Sequence, residues 1–258
     1  MNKTISADGT SIAFDRVGQG PALVLVGGGP IDRSANDALV ELLAATFTVY
    51  NYDRRGHGDS GDTAPYAVNR EFEDLEAVIA EADQPVCLYG TSGGGMIALE
   101  AAARGLPVGR LAVWEPPYIV DDSRAPVPAT YRRQLADLLA EDRRGDMVEL
   151  FLTTAVGMPA EFVAPMRDMP FWKDNEAVAH TLIYDAMITG DFSLPAKRIA
   201  AVPVPTLVLD GGTTPWLTAA ARAVADVVPD ARRVTLPGQP HNVDAAAIAP
   251  ALAEFFAA

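Results

Sequence analysis

Short apolar runs that do not alternate with polar residues, each followed by a helical stretch, constrain this chain most. Ala22-Leu23-Val24-Leu25-Val26 is a continuous apolar strand, and Phe47 to Tyr52, Val86 to Tyr89, Leu111 to Trp114, Thr206 to Leu209 and Arg232 to Leu236 read as further short strands. Helical stretches follow most of them, at Asn36 to Leu43, Glu71 to Glu81, Met96 to Arg104, Ala219 to Val227 and Val243 to Phe256. A strand with no polar side must be covered on both faces, and the intervening helices supply the cover. The pattern therefore predicts an α/β fold with a mainly parallel sheet between two helical layers. An opening hairpin precedes it: Asp8-Gly9 is a turn signal between Thr4 to Ser6 and Ser11 to Val17.

The rhythm breaks once. Between Trp114 and Thr206 the chain has little strand character but helical segments around Tyr131 to Leu139, Met147 to Thr154 and Glu176 to Met187. A structureless loop of that length is implausible, so this stretch is expected to be a helical insertion over one edge of the sheet. The expected organisation is a core of residues 1–116 and 200–258 with a helical cap over 117–199. No internal repeat interrupts it.

With 34 acidic and 20 basic residues among 258 the formal net charge is −14, and no segment gathers Lys and Arg into a basic patch. Such a balance repels polyphosphate, which argues against nucleic acid and anionic membrane surfaces as partners and leaves a small molecule. Cys87 is the sole cysteine, so there is no intramolecular disulfide and no Cys-rich metal site; in Pro85-Val86-Cys87-Leu88-Tyr89 it reads as a buried hydrophobe. The segment Met1 to Asp8 has no apolar targeting region and no later run reaches membrane-span length, which predicts a cytoplasmic location.

Gly90-Thr91-Ser92-Gly93-Gly94 lies between the apolar strand ending at Tyr89 and a helix beginning near Met96. It meets both the G-x-S-x-G pattern and the strand-turn-helix context that gives the pattern meaning. A nucleophile on so sharp a turn needs neighbours without side chains, and the helix N-terminus turns amides toward developing negative charge.

On these residues the chain resembles the α/β-hydrolase family over nearly its whole length. Also similar are the Gly-rich turn Val26-Gly27-Gly28-Gly29-Pro30, the segment Tyr52-Asp53-Arg54-Arg55-Gly56-His57-Gly58-Asp59-Ser60, and a late histidine in Pro237-Gly238-Gln239-Pro240-His241. The resemblance implies the α/β-hydrolase fold, an eight-stranded, mainly parallel sheet with helices on both faces and a helical cap insertion. It further implies Ser92 as nucleophile and an oxyanion hole of the Gly29 and Gly93 amides, with Gly28 the less favoured donor. Gly27 stands where members often carry a His, but the family uses only the backbone there.

Of the three histidines, His241 follows the last strand and fits the order Ser, acid, His, which makes it the expected base. His57 is expected to serve loop structure and His180 to be solvated or packed within the insertion. The acid departs from the pattern: where most members carry an Asp after the penultimate strand, Leu209-Asp210-Gly211-Gly212-Thr213-Thr214-Pro215-Trp216 holds Thr214. Two carboxylates could substitute: Glu115, which resembles the relocated acid of some haloalkane dehalogenases, and Asp210, at the end of the usual acid-bearing strand. A weakly supported Ser-His dyad is the remaining alternative.

The insertion carries Met147, Met158, Met166, Met169 and Met187 with Phe151, Phe162, Phe171, Trp172 and Tyr184. These either build the insertion's own core or, for Trp172, Met158, Met166 and Tyr184, form an adaptable apolar wall around substrate. The expected activity is a serine hydrolase with neither cofactor nor metal, cleaving a carboxylic ester or lactone of a small, largely apolar substrate. The same parts also serve C–C hydrolases, lyases and perhydrolases, and some members of the family are non-catalytic binding modules.

Overall fold

A computed structural model describes all residues from Met1 to Ala258. Eight strands form one sheet: β1 (Asn2–Ile5), β2 (Ser11–Val17), β3 (Ala22–Val26), β4 (Thr48–Tyr52), β5 (Val86–Thr91), β6 (Val108–Trp114), β7 (Thr206–Gly212) and β8 (Ala231–Gln239). Their order across the sheet is β1-β2-β4-β3-β5-β6-β7-β8. The hairpin β1-β2 is antiparallel and β2 runs antiparallel to β4; every other neighbouring pair is parallel.

The unbroken apolar strands are buried on both faces. In β3, Val24 and Val26 join a core with Leu75, Ile97, Leu99, Ala220 and Val224, from α2 (Asn69–Ala80), α3 (Gly93–Ala103) and α10 (Pro215–Val227). Leu23 and Leu25 point the other way, against Leu39, Leu43, Leu252 and Phe255 of α1 (Asp37–Leu43) and α11 (Ala245–Ala257). Side chains two apart on one strand share a face, so a strand apolar at every position holds two helical layers at once. Cys87 is half-buried against the second layer, and burial pushes its thiol up to about 11.

Between β6 and β7 run α4 (Tyr131–Ala140), α5 (Arg144–Leu150), α6 (Ala160–Val163), α7 (Pro170–Ala177), α8 (Leu182–Thr189) and α9 (Ala196–Ile199). A π-helical turn, Phe151–Val156, extends α5. The single helix expected over Glu176 to Met187 is instead broken by a 3-10 turn, Ala179–Thr181, where the Thr181 hydroxyl donates to the Val178 carbonyl at 2.7 Å. Other element ends also differ from expectation: α3 begins at Gly93, directly after Ser92, whose carbonyl accepts the Gly95 and Met96 amides, and α10 begins at Pro215, whose missing N–H suits the first helical position. No helix is long and apolar enough to cross a membrane.

The Arg-Arg-Gly-His segment ties the edges of the molecule together. Arg55 is fully buried and binds Asp74 twice, at 2.7 Å each, and Asp8 at 3.0 Å. Burial raises the Asp74 carboxyl above the usual carboxylate range, and the Arg55 guanidinium opposes that rise. Arg55→Ala should therefore destabilise the fold by about 3–5 kcal/mol, because it strands the buried Asp74 carboxylate. Half-exposed Arg70, which pairs with Glu73, provides the contrast: Arg70→Ala should cost less than about 1 kcal/mol, and urea denaturation of the two variants compares them directly.

Candidate active site

Ser92 sits between β5 and α3 with φ of 52° and ψ of −125°, a backbone conformation that side chains rarely adopt. Its N–H donates to the Trp114 carbonyl at 2.9 Å and its carbonyl accepts from the Gly95 and Met96 amides, so neighbouring elements hold the strained residue from both sides. The flanking glycines follow from space. A side chain at Gly90 would meet the Gly94 carbonyl at 2.5 Å, and one at Gly94 would meet the Val26 carbonyl at 2.3 Å.

His241 lies beyond β8. Its Nε2 is 3.1 Å from Ser92 Oγ and its Nδ1 is 2.7 Å from Glu115 Oε2. Glu115 is fully buried just after β6, also at positive φ (42°), and its other oxygen accepts the Gly211 N–H at 2.9 Å. The buried Trp114 indole donates to the His241 carbonyl at 2.8 Å. Consecutive residues of one strand end therefore hold the histidine by its ring and by its backbone.

Asp210 does not reach His241. Its carboxylate accepts from Arg233 at 2.7 Å and from the Gly212 amide and the Thr235 hydroxyl, all on β7 and β8. The reason is local: the β7–β8 register shifts between Asp210 and Gly212, and the Gly211 backbone lies so close to Gln239 that a side chain there would fall 1.8 Å from its carbonyl oxygen. Thr214, at the usual acid position, lines the cavity instead.

Gly28, Gly29 and Gly93 all border the same cavity as Ser92. Gly93 opens α3, where a helix leaves its amides without internal acceptors. Gly28 is pressed onto the elbow, since a side chain there would lie 2.4 Å from the Thr91 carbonyl, whereas Gly29, at φ +73°, faces open space whose nearest neighbour is Phe151 at 3.8 Å. Backbone of two segments thus borders the cavity beside Ser92.

The remaining histidines lie elsewhere. His57 is buried with Nδ1 2.9 Å from the Arg55 carbonyl, and burial, with Arg54 alongside, lowers its pKa. His180 approaches Asp62 at 3.3 Å, its pKa also lowered by burial. No group of three or more His, Cys, Asp or Glu is placed to hold a metal ion.

The cavity has a volume of about 570 Å³ and runs from Ser92 and His241 to the insertion. Of the four residues expected to wall it, Met158 does. Trp172, Met166 and Tyr184 do not, which corrects the expectation. Trp172 is buried in the insertion's own core with its indole donating to Glu176, and Met166 packs against that core. Tyr184 stacks on Tyr66 at 3.8 Å and donates to Asp62. A helical period cannot say which of two apolar environments a face meets. The wall is built instead by Phe151, Leu152, Ala155 and Val156 of the π-helical turn, with Tyr131, Phe192 and Trp216. Phe151 belonged to the noted aromatic set; nothing in the sequence marks the π-turn that presents it.

The chain belongs to the α/β hydrolase family, whose model matches residues 23–252. It is similar to an α/β hydrolase from Sphaerobacter thermophilus DSM 20745, at 53% identity and a TM-score of 0.95 over 99% of this chain and 100% of that one. The enol-lactonase from Burkholderia xenovorans LB400 shares the fold at 24% identity and a TM-score of 0.73, over 100% of both chains. Among curated proteins, it is 34% identical over 148 residues to a pimeloyl-[acyl-carrier protein] methyl ester esterase of Xanthomonas campestris pv. campestris, 56% of this chain and 57% of that one. An uncharacterized hydrolase, YraK, of Bacillus subtilis (strain 168) is 32% identical over 107 residues, 40% of each. The chain thus spans roughly half the length of the curated relatives it matches.

The close approaches around Ser92 carry their own test. Gly94→Ala should lower stability by roughly 3 kcal/mol and broaden or abolish the cooperative thermal transition, since main chain rather than a flexible side chain blocks the added methyl. Gly105→Ala, where nothing lies within 4 Å but φ is +85°, should lose only about 1 kcal/mol.

Proposed function

We propose that the protein is a serine hydrolase cleaving a carboxylic ester or lactone of a small, largely apolar substrate through an acyl-enzyme. The observation that carries this reading is the continuous chain of contacts from Glu115 through His241 to Ser92 Oγ, at 2.7 and 3.1 Å, opening into an apolar cavity. Ser92 Oγ attacks the carbonyl carbon while His241 Nε2 takes its proton, and His241 then returns that proton to the departing alkoxide. Glu115 holds the Nδ1–H, so the imidazole presents a basic Nε2 and its positive charge is offset as it forms. The Gly29 and Gly93 amides receive the oxyanion, with Gly28 holding the two segments together. Water enters by the same route, activated by His241, to release the acid.

The apolar walls and the helical segment 117–199, acting as a cap, suit an uncharged acyl group. The partial match to a methyl ester esterase agrees with an ester as the bond cleaved. Asp210 and Arg233 have a structural role in this reading, in tying the ends of β7 and β8 together.

A panel of p-nitrophenyl esters, aliphatic lactones and a C–C cleavage substrate tests the reaction class. Ser92→Ala should lose several orders of magnitude in kcat with its fold intact, and a serine-directed phosphonate should add once to the wild type and not to the variant. Activity surviving Ser92→Ala would overturn the mechanism. His241→Ala should be comparably inactive, whereas His57→Ala and His180→Ala should retain the chemical step.

The acid gives a sharper comparison. Glu115→Gln should lower kcat on the order of a thousandfold or more, because an amide neither stabilises the imidazolium nor enforces the right tautomer. Asp210→Asn should change kcat by less than about tenfold and should act mainly on the melting temperature, through its lost charge pair with Arg233. Equal losses in kcat would remove Glu115 from the proposed triad.

A further inference from the structure

The segment that carries His241 has little of its own to hold it. Between β8 and α11, Pro240 to Val243 make no backbone–backbone hydrogen bond. The two ends are fixed: the Gln239 carbonyl accepts the Thr213 hydroxyl at 2.9 Å, and Asp244 donates its N–H to Gln239 Oε1 at 3.1 Å while its side chain accepts the Ala246 amide at 2.9 Å. Val243 rests on the apolar layer beneath. Across the span between these ends, the one hydrogen bond to the main chain comes from the Trp114 indole, whose N–H meets the His241 carbonyl at 2.8 Å.

A side chain on such a span is no better placed than its backbone. The His241 side chain is 38% exposed, so packing restrains it little. Its contacts to Ser92 Oγ and Glu115 Oε2, at 3.1 and 2.7 Å, require both ring nitrogens to be aimed at once. Trp114 is fully buried and does not line the cavity. It stands opposite Thr91 in the β5–β6 register, and its own carbonyl accepts the Ser92 N–H at 2.9 Å. The residue belongs to the apolar layer with Leu25, Leu209 and Ile248, surroundings in which a hydrogen bond left unmade is unfavourable. A single immobile residue thus ties down the main chain of both the nucleophile and the base.

We infer that Trp114 is a positioning residue of the reaction: through its carbonyl and its indole it fixes the separation of Ser92 Oγ and His241 Nε2 without touching substrate. The inference rests on the hydrolase reading and adds to its Glu115, His241 and Ser92 contacts the group that keeps them in register. A base displaced by about 1 Å loses up to about a hundredfold in rate, whereas a cavity that Trp114 does not line keeps its affinity.

Trp114→Phe removes the N–H but also part of the ring, so it is paired with benzothienylalanine at position 114, in which sulfur replaces the indole N–H and the shape is kept. Both should lower kcat about ten- to a hundredfold on the best ester, with KM within about twofold of wild type. Trp172→Phe, which removes the indole bond to Glu176 inside the insertion, should lower the melting temperature and leave kcat within about twofold. Nitrogen NMR of protein with isotopically labelled histidine gives a second readout: the wild-type His241 ring should hold its proton on Nδ1, and both position-114 variants should show the two tautomers mixed. Where the wild type turns over, the sulfur variant decides, because a merely structural role leaves its kcat at the wild-type value; that result, or a rise in KM alone, would overturn the inference. Where the wild type turns over no ester, the hydrolase reading falls and the tautomer decides: mixing in the variants keeps the positioning role, and an unchanged ring sinks both.

Discussion

The close approach of three backbone segments around Ser92 is the constraint on which the site depends. Val26 to Gly28, Gly90 to Ser92 and the first turn of α3 meet with main-chain atoms almost in contact, and at Gly28, Gly90 and Gly94 only hydrogen fits where a side chain would stand. That crowding holds Ser92 at its positive φ, and it sets the Gly28–Gly29 turn against the N-terminus of the helix. Three of the four non-glycine residues at positive φ, Ser92, Glu115 and Phe192, either line the cavity or hold His241. Strain of this kind persists where the surrounding structure over-determines it, and here it concentrates around the cavity.

Adjacency in the sheet then places the histidine. Because β6 lies between β5 and β7, the end of β6 stands beside the elbow on one side and the end of β7 on the other. Glu115 uses both neighbours: one oxygen takes the Gly211 amide and the other meets His241. A carboxylate anchored at one oxygen has little freedom to leave the imidazole, and its burial strengthens the contact. Asp210 has Arg233 as its partner, so the strand that holds the acid in most relatives here contributes the backbone donor that orients Glu115.

The insertion is joined to the sheet by polar contacts as well as by packing. Arg54 reaches Asp185 of α8, Tyr66 stacks on Tyr184, and Tyr184 and His180 both approach Asp62. Its apolar residues divide between two surroundings: Leu135, Met147, Trp172 and Leu182 form its own core, and Phe151, Leu152 and Met158 turn toward the cavity. Arg54 therefore links the segment after β4 to α8, which lines part of the cavity.

The sequence alone determined the layered architecture, because strands apolar at every position admit only a doubly covered sheet, and it determined the elbow, because glycines at 90 and 94 flank a serine between strand and helix. His241 was readable from its place after the last strand. Which of Glu115 and Asp210 stands against His241 was not readable, since that depends on a register shift between β7 and β8 and on which strand lies beside the elbow. The cavity wall was beyond it for the same kind of reason. Trp172 and Phe151 look alike as members of an apolar helical pattern, and only the packing of the π-helical turn and α7 against different neighbours sends one toward the cavity and the other into the insertion's core. Asp185 is an ordinary acidic residue in the chain. Its pairing with Arg54, 131 residues away, exists only once the tertiary structure has formed.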